Sequence, residues 1–259
     1  MNTRFSVDYQ LAMPVALSEV GGRANNEDAV FPSVGRATPA DRLFVVCDGM
    51  GGLAKGEEAS RIVTESVGDF FRTVYGPSDE QTIGRAVAGA EATLDRYLEQ
   101  YPSAKGMGTT LALLHLHDEG ATVAHIGDSR VYQFRDGAIL FQTEDHKLVN
   151  DWVRRGLLTP EQAAVHPNRN VVTRAVQGRT VQAAQADVQH LTDLQPGDYF
   201  LLCSDGLIEA LSDADLIRIL EEIGPLDAKR EAIRQACEGH TSDNYSAYLL
   251  HLQFPADEP

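Results

Sequence analysis

The stretch LFVVCDGMGG, Leu43 to Gly52, sets an unbroken run of five apolar residues against an acid, Asp48, followed by three glycines in four positions. A short apolar run bounded by turn formers reads as a buried strand. Asp-Gly by itself is an ordinary turn signal. The pattern recurs, however, at distant points of the chain. Asn26-Glu27-Asp28 opens a strand-like run, Gly127-Asp128-Ser129-Arg130 follows TVAHI, Asp205-Gly206 follows YFLLC and Ser204, and Asp243-Asn244 opens YSAYLL. If these strands share one rim, their acids converge, and converging carboxylates repel one another unless cations neutralise them.

Around these points the chain alternates strand-like and helix-like segments. Strands are expected at Leu11–Leu17, Ala29–Phe31, Leu43–Cys47, Thr109–His117, Thr122–Ile126, Val131–Arg135, Ala138–Gln142, Tyr199–Cys203 and Tyr245–Phe254. Asp136-Gly137 is a tight hairpin signal, and Asp118-Glu119-Gly120 joins two further strands, so the sheets are expected to be antiparallel. Apolar residues at helical spacing predict helices over Glu57–Val74 and Glu80–Tyr101. Thr159-Pro160-Glu161-Gln162 carries a capping box for a short helix, and Ser212-x-x-Asp215 caps another. Helices near Ser212–Ile223 and Asp227–Cys237 precede the last strand. This order makes the fold α+β, with helices covering stacked sheets.

The composition bounds the function. The chain has 259 residues and a formal net charge of -16, from 38 acids against 22 lysines and arginines. That balance argues against a phosphate-backbone groove for nucleic acid. Three scattered cysteines, Cys47, Cys203 and Cys237, suggest neither a zinc site nor a disulfide framework, and fit a reducing cytoplasm. No apolar run approaches a membrane span. LAMPVAL, Leu11 to Leu17, contains Pro14 and follows Asp8, so it reads as a first strand rather than a signal peptide. Oxygen ligands suit magnesium or manganese. Two such ions can share Asp48, acidify a bridging water and stabilise charge on a phosphoryl group. Gly49 leaves room for its backbone carbonyl to reach an ion, and Arg23, four residues before Glu27, is a candidate fork for phosphate.

The ordered motifs Arg23…Asn26-Glu27-Asp28, VVCDGMGG, MGTTL, IGDSR, EDHKLV, NVVTRAVQG, CSDGL and SDNYSA together resemble the metal-dependent serine/threonine phosphatases of the protein phosphatase 2C (PPM) family, in its compact bacterial form. They run from about Ser18 to His251. The resemblance implies a four-layer α-β-β-α sandwich, two central antiparallel sheets flanked by helices. Residues 1–254 would be one catalytic domain and 255–259 a loose tail. It implies two or three Mn or Mg ions. Asp48 would bridge two ions, and Gly49 (by its backbone oxygen) and Glu27 would serve one of them. Asp205 and Asp243 would complete the other, and Asp28 would act through water. Asp128 would hold a third, weaker ion with help from Asp205. Arg23 would bind the substrate phosphate, Asn244 would orient Asp243, and Thr109-Thr110 and Ser129-Arg130 would be structural supports.

The implied reaction is direct attack of a metal-activated bridging water on phosphoserine or phosphothreonine in proteins, without a phosphoenzyme. The implied role is opposing Ser/Thr kinases in the cytoplasm, as a monomer, with phosphorylated proteins as partners and neither nucleic acid nor membrane. Rival chemistries lack their residues. No arginine stands six positions after any cysteine, as a cysteine phosphatase requires, and no EF-hand spacing occurs. A scaffold of the same family, or a phosphatase for a small phosphoester, remains as an alternative. Met50 stands where some relatives carry a histidine used as general acid, and methionine has no proton to donate. Metal-bound water could serve instead, or His146 if folding brings it near. The segment from Asp145 to Arg179 corresponds to the family's flap, where Arg154, Arg155 and Arg169 are expected to tune substrate access.

Overall fold

The computed structural model describes residues 9–51, 55–178 and 183–255. Gly52, Arg179 and residues 256–259 of the expected tail lie outside the described residues. One sheet contains β1 (Gln10–Leu11), β2 (Val15–Glu19), β8 (Arg130–Arg135), β9 (Ala138–Gln142), β12 (Tyr199–Cys203) and β13 (Tyr245–Gln253). Its order is β1-β13-β12-β8-β9, with β2 also paired to β13. The other contains β3 (Asp28–Phe31), β4 (Leu43–Met50), β5 (Gly108–Thr109), β6 (Leu111–His117), β7 (Gly120–Ile126), β10 (Val176–Gln177) and β11 (Asp187–Leu191). Its order is β10-β5-β4-β6-β7-β11, with β3 also on β4. All pairings are antiparallel.

Three apolar layers explain the continuous runs of the central strands. Val45 and Cys47 of β4 face a core shared with helices α1 (Gly56–Phe71) and α2 (Glu80–Gln100), including Ile62, Val63, Val87 and Leu94. Phe44 and Val46 face the gap between the sheets, where they meet Phe200, Leu202, Tyr248 and Leu250. Leu201, Cys203, Ala247 and Leu249 face the third layer, under α5 (Asp205–Ala210), α6 (Asp213–Glu221) and α7 (Leu226–Cys237). A strand covered on both faces has no polar side to show, so period-two alternation vanishes from its sequence. The four-layer arrangement expected from the family resemblance is the one observed. Helices α3 (Leu148–Arg154) and α4 (Pro160–Ala164) lie in the flap segment.

Several local expectations are corrected. Leu11–Leu17 is two strands separated at Ala12 to Pro14, and proline at the break has no N–H to give a ladder. The strand from Leu43 does not stop at Asp48 but continues to Met50, because Gly49 and Met50 pair with Thr109 and Gly108 of β5. Asp205-Gly206, expected only to follow its strand, forms the first turn of α5. A Cβ on Gly206 would stand 2.0 Å from the Asn244 carbonyl oxygen, so that glycine serves a close approach of backbones. Strands β10 and β11 were missed: the first has two residues, and the second, DVQHL, is a half-exposed edge without an apolar run. The hairpin at Asp136-Gly137 is present, with φ of 49° and 70°, the pair of positive values a type I′ turn requires. Both capping boxes, at Thr159 and Ser212, are formed. No helix among the described residues is long and apolar enough to cross a membrane.

Candidate metal centre

The alternation that sends Phe44 and Val46 into the gap between the sheets places Asp48 at the end of that same face. Asp28 of β3 is its cross-strand partner in register. The backbone around Asp48 is fixed on both sides. Its N–H donates to Thr110 Oγ1 at 2.8 Å, and its carbonyl accepts from Thr109 Oγ1 at 2.8 Å and from the Thr110 N–H at 2.9 Å. Thr110 is itself held by Ser129, hydroxyl to hydroxyl at 2.6 Å. From the opposite sheet, Ser204 Oγ donates to Asp28 Oδ2 at 2.7 Å. Ser204 therefore ties the two sheets together at the acidic rim, and Asp205 follows it as the first residue of α5.

Glu27 is placed by its backbone. Its carbonyl accepts from the Gly49 N–H at 3.0 Å and from Ser60 Oγ at 2.6 Å, and its N–H donates to Asn244 Oδ1 at 2.9 Å. The Asn244 amide also donates to the carbonyls of Val20 and Asn25, at 2.7 Å each. The Asn244 side chain thus clamps the loop before Glu27 instead of orienting Asp243, which corrects the expectation; only its backbone N–H reaches Asp243 Oδ1, at 2.9 Å. Arg23 lays a two-pronged fork on Asp243, with Nε to Oδ1 at 2.8 Å and Nη2 to Oδ2 at 2.6 Å. A phosphate offers the same spacing of oxygens to such a fork.

Asp28, Asp48, Asp205 and Asp243, drawn from four distant segments, thereby meet at one edge, with Glu27 beside them. Burial first, and then the charges of Asp205 and Asp243, push the Asp28 carboxyl up to about 7 despite help from Ser204 and Ser246. Burial, then Asp128 and Asp243, raise Asp205 to about 6 against the pull of Lys147. Burial and four neighbouring acids hold Asp48 well above the usual carboxylate range. Burial and then Glu57 raise Glu27. Among the described residues, Asp28 Oδ1 and Asp205 Oδ1 are buried side-chain oxygens without a hydrogen-bond partner. Buried acceptors are rarely left unpaired. An all-oxygen set with two orphaned carboxylate oxygens and excess negative charge fits hard divalent cations such as manganese or magnesium.

Gly49 is required by space. A Cβ there would stand 2.3 Å from the Gly56 carbonyl oxygen and 2.5 Å from that of Glu27. Gly49→Ala is expected to lower stability by about 2 kcal/mol or more, as forced backbone movement does, and to weaken manganese binding. Thermal unfolding with and without manganese checks both effects; an unchanged melting temperature and metal affinity would refute the close-approach argument.

The remaining expected residues are placed differently. Asp128 follows Gly127, whose φ of 99° is in the left-handed region. Asp128 is buried, and its Oδ2 lies 3.1 Å from Lys147 Nζ. Lys147 was not singled out from the sequence. His146 does not serve the acidic edge. Its Nδ1 accepts from the Gly127 N–H at 3.1 Å, so its proton sits on Nε2, which faces Asp187 Oδ2 at 3.1 Å. His125 stacks on it at 4.4 Å. His125, His146 and Asp187 are close enough together to hold a metal. An ion on His146 Nε2 would nevertheless leave that ring without a proton, because Nδ1 is already an acceptor. The trio is a brace that sets Gly127, and through it Asp128. Met50 ends β4 against Gly108. The three cysteines are buried, and burial raises their thiols, Cys237 to about 12.

A cavity of about 340 Å³ opens over the acids, lined among others by Arg23, Asp128, Lys147, Arg169, Asp205 and Asp243. An adjoining cavity of about 510 Å³ shares Arg130, Asp145, Lys147, Arg169 and Asn170 with it and extends over the flap residues Val149, Val153 and Ala163.

Comparison with known proteins places this geometry. A family model described as protein phosphatase 2C matches residues 18–236. The serine/threonine protein phosphatase PstP of Mycobacterium tuberculosis is 33% identical over 230 residues, 89% of this chain. The match spans 43% of that protein, so the chain covers less than half of its length. The protein phosphatase PhpP of Streptococcus pneumoniae is 33% identical over 244 residues, 91% of this chain and 96% of PhpP. The solved structure of the PstP catalytic domain in complex with two manganese ions superposes with a TM-score of 0.78 at 30% identity, covering 95% of this chain and 99% of that one.

Proposed function

Because this chain belongs to the protein phosphatase 2C family, we propose that it hydrolyses phosphoserine and phosphothreonine in proteins with the help of two manganese or magnesium ions. The observation that carries the reading is the meeting of Asp28, Asp48, Asp205 and Asp243 at one edge, with two buried carboxylate oxygens left unpartnered. Asp48 with the Gly49 carbonyl and Glu27 would hold one ion, and Asp48 with Asp205 and Asp243 the other. Asp28 would act through water. When bound, the ions supply a water acidified enough to attack phosphorus directly and positive charge against the phosphoryl oxygens. Phosphate monoester hydrolysis is among the slowest uncatalysed reactions, so such charge stabilisation is essential.

The chain's own residues orient the reaction. Arg23, its fork now on Asp243, would turn it to the substrate phosphate as Asp243 turns to an ion. Ser204 holds Asp28 Oδ2 and leaves Oδ1 free to accept from water. Thr109 and Thr110 keep the Asp48 backbone from shifting as charge builds. With a methionine at position 50, which has no proton to donate, and His146 occupied elsewhere, neither side chain supplies the leaving-group proton, so water is left for that task. Residues 1–254 would act as one catalytic domain, in the cytoplasm and as a monomer, on phosphorylated proteins that include Ser/Thr kinases and their substrates.

Phosphopeptide hydrolysis with manganese and with chelator tests this. Metal-dependent release of phosphate from phosphoserine and phosphothreonine peptides is expected. Turnover only of small phosphoesters would replace the substrate class, and binding without turnover would make the chain a scaffold. The flap tunes access in this reading. Arg169 lines both cavities, whereas Arg154 is engaged by Glu144 at 3.2 Å and Asp151 at 3.5 Å. Exchanging residues 156–170 is expected to change kcat/KM for phosphopeptides by tenfold or more, about 1.4 kcal/mol, with p-nitrophenyl phosphate turnover little altered. Equal change on both substrates would exclude a role in substrate choice.

A further inference from the structure

Lys147 stands at the base of the flap with its backbone pinned. It bridges Val172, its N–H donates to the Asp145 carbonyl at 2.9 Å, and the next N–H, of Leu148, donates to Val171 at 2.9 Å. Its side chain is 17% exposed and runs inward, placing Nζ 3.1 Å from Asp128 Oδ2 and 3.4 Å from Asp145 Oδ2. The Asp145 carboxylate also receives the Arg130 fork, at 2.6 and 2.9 Å. Two buried carboxylates, Asp128 and Asp145, therefore face two cations. The neighbouring edge differs: the Arg23 fork there is spent on Asp243, and both orphaned carboxylate oxygens are found at that edge, on Asp28 and Asp205. The shortage of positive charge ends where Lys147 begins.

A third divalent ion on Asp128 would have to share that carboxylate with the Lys147 ammonium. Manganese or magnesium binds a carboxylate oxygen at roughly 2.0–2.2 Å, and at Asp128 Oδ2 it would press against an ammonium 3.1 Å from that oxygen. Like charges at such range in a partly dry site are strongly unfavourable. We propose that Lys147 is a fixed internal substitute for a third ion: its ammonium, 3.1 Å from Asp128 Oδ2, neutralises that acid and lets the protein work with two ions. This rests on the two-ion reading above. It also couples the base of the flap to the acidic edge, because the residue that supplies the charge immediately precedes α3.

Manganese stoichiometry of the full chain, measured by equilibrium dialysis with metal analysis, tests the inference without recourse to turnover. The wild type and Lys147→Arg are expected to bind two ions. Lys147→Ser is expected to bind a third, weaker ion that disappears in the Lys147→Ser, Asp128→Ala double variant. Should Lys147→Ser fail to fold, Asp128→Ala alone decides: retention of two ions, the wild-type number, supports the role of the lysine. A wild type that binds three ions and loses one on Asp128→Ala overturns it, as does a folded Lys147→Ser that stays at two. A wild type that binds none would sink the two-ion reading itself, a result distinct from either.

Discussion

Asp48→Ala is expected to abolish manganese-dependent phosphatase turnover, by roughly 10³-fold or more, the scale on which removal of a transition-state charge stabiliser acts. Asp48 is the acid that both proposed ions share, so its loss empties both positions rather than weakening one. The fold should survive. The Asp48 backbone is held by Thr109 and Thr110, and neither contact uses the carboxylate. Removing the side chain also relieves a crowded group, since Asp28, Asp205, Asp128 and Asp243 all act to keep Asp48 protonated. Circular dichroism and melting would register a folded variant, and manganese titration a loss of binding. Asp205→Ala is expected to lose turnover similarly. Turnover within tenfold of wild type in a folded Asp48→Ala protein would refute the shared-ligand assignment.

The sequence disclosed the acids because their local contexts repeat, each at a strand end. It disclosed the layers because strands such as FVVC and YFLLC are apolar on both faces. The supports were harder to see. Asp205-Gly206 reads as a turn, since nothing local tells that Gly206 is needed for the nearby Asn244 carbonyl. Ser204 becomes informative only when β12 is set beside β3, bringing residues 176 positions apart into a 2.7 Å hydrogen bond. Lys147 belongs to the same class. A lysine in a loop is ordinarily a solvated charge, and only its pinned backbone turns it inward onto Asp128. The acceptor state of His146 Nδ1, which removes it from proton transfer, likewise depends on a peptide N–H nineteen residues away.

Manganese is expected to raise the melting temperature far more at pH 8 than at pH 5.5. Without ions, Asp28 keeps its proton up to about 7 and Asp205 up to about 6, while the ordinary value for both is 3.8. Between those limits the folded protein binds more protons than the unfolded chain, so the free energy of unfolding falls as pH rises. The cluster costs little below about pH 4 and its full amount above about pH 7. A shift of three units corresponds to about 4 kcal/mol, on the order of 10 °C for a chain of this size. Buried His115 has the opposite slope: burial lowers it to about 4, so its contribution is present above its ordinary 6.5 and is lost as pH falls. Metal-free melting alone would mix the two. The difference with and without manganese isolates the cluster, because His115 lies on β6, hydrogen-bonded to Ser78 and away from the acids. Ions replace protons on the same oxygens, so their stabilisation is largest where protons no longer occupy them. Asp28→Asn should flatten the pH dependence of the metal-free protein relative to wild type. Equal manganese shifts at both pH values would mean that the acids at this edge are not the manganese ligands.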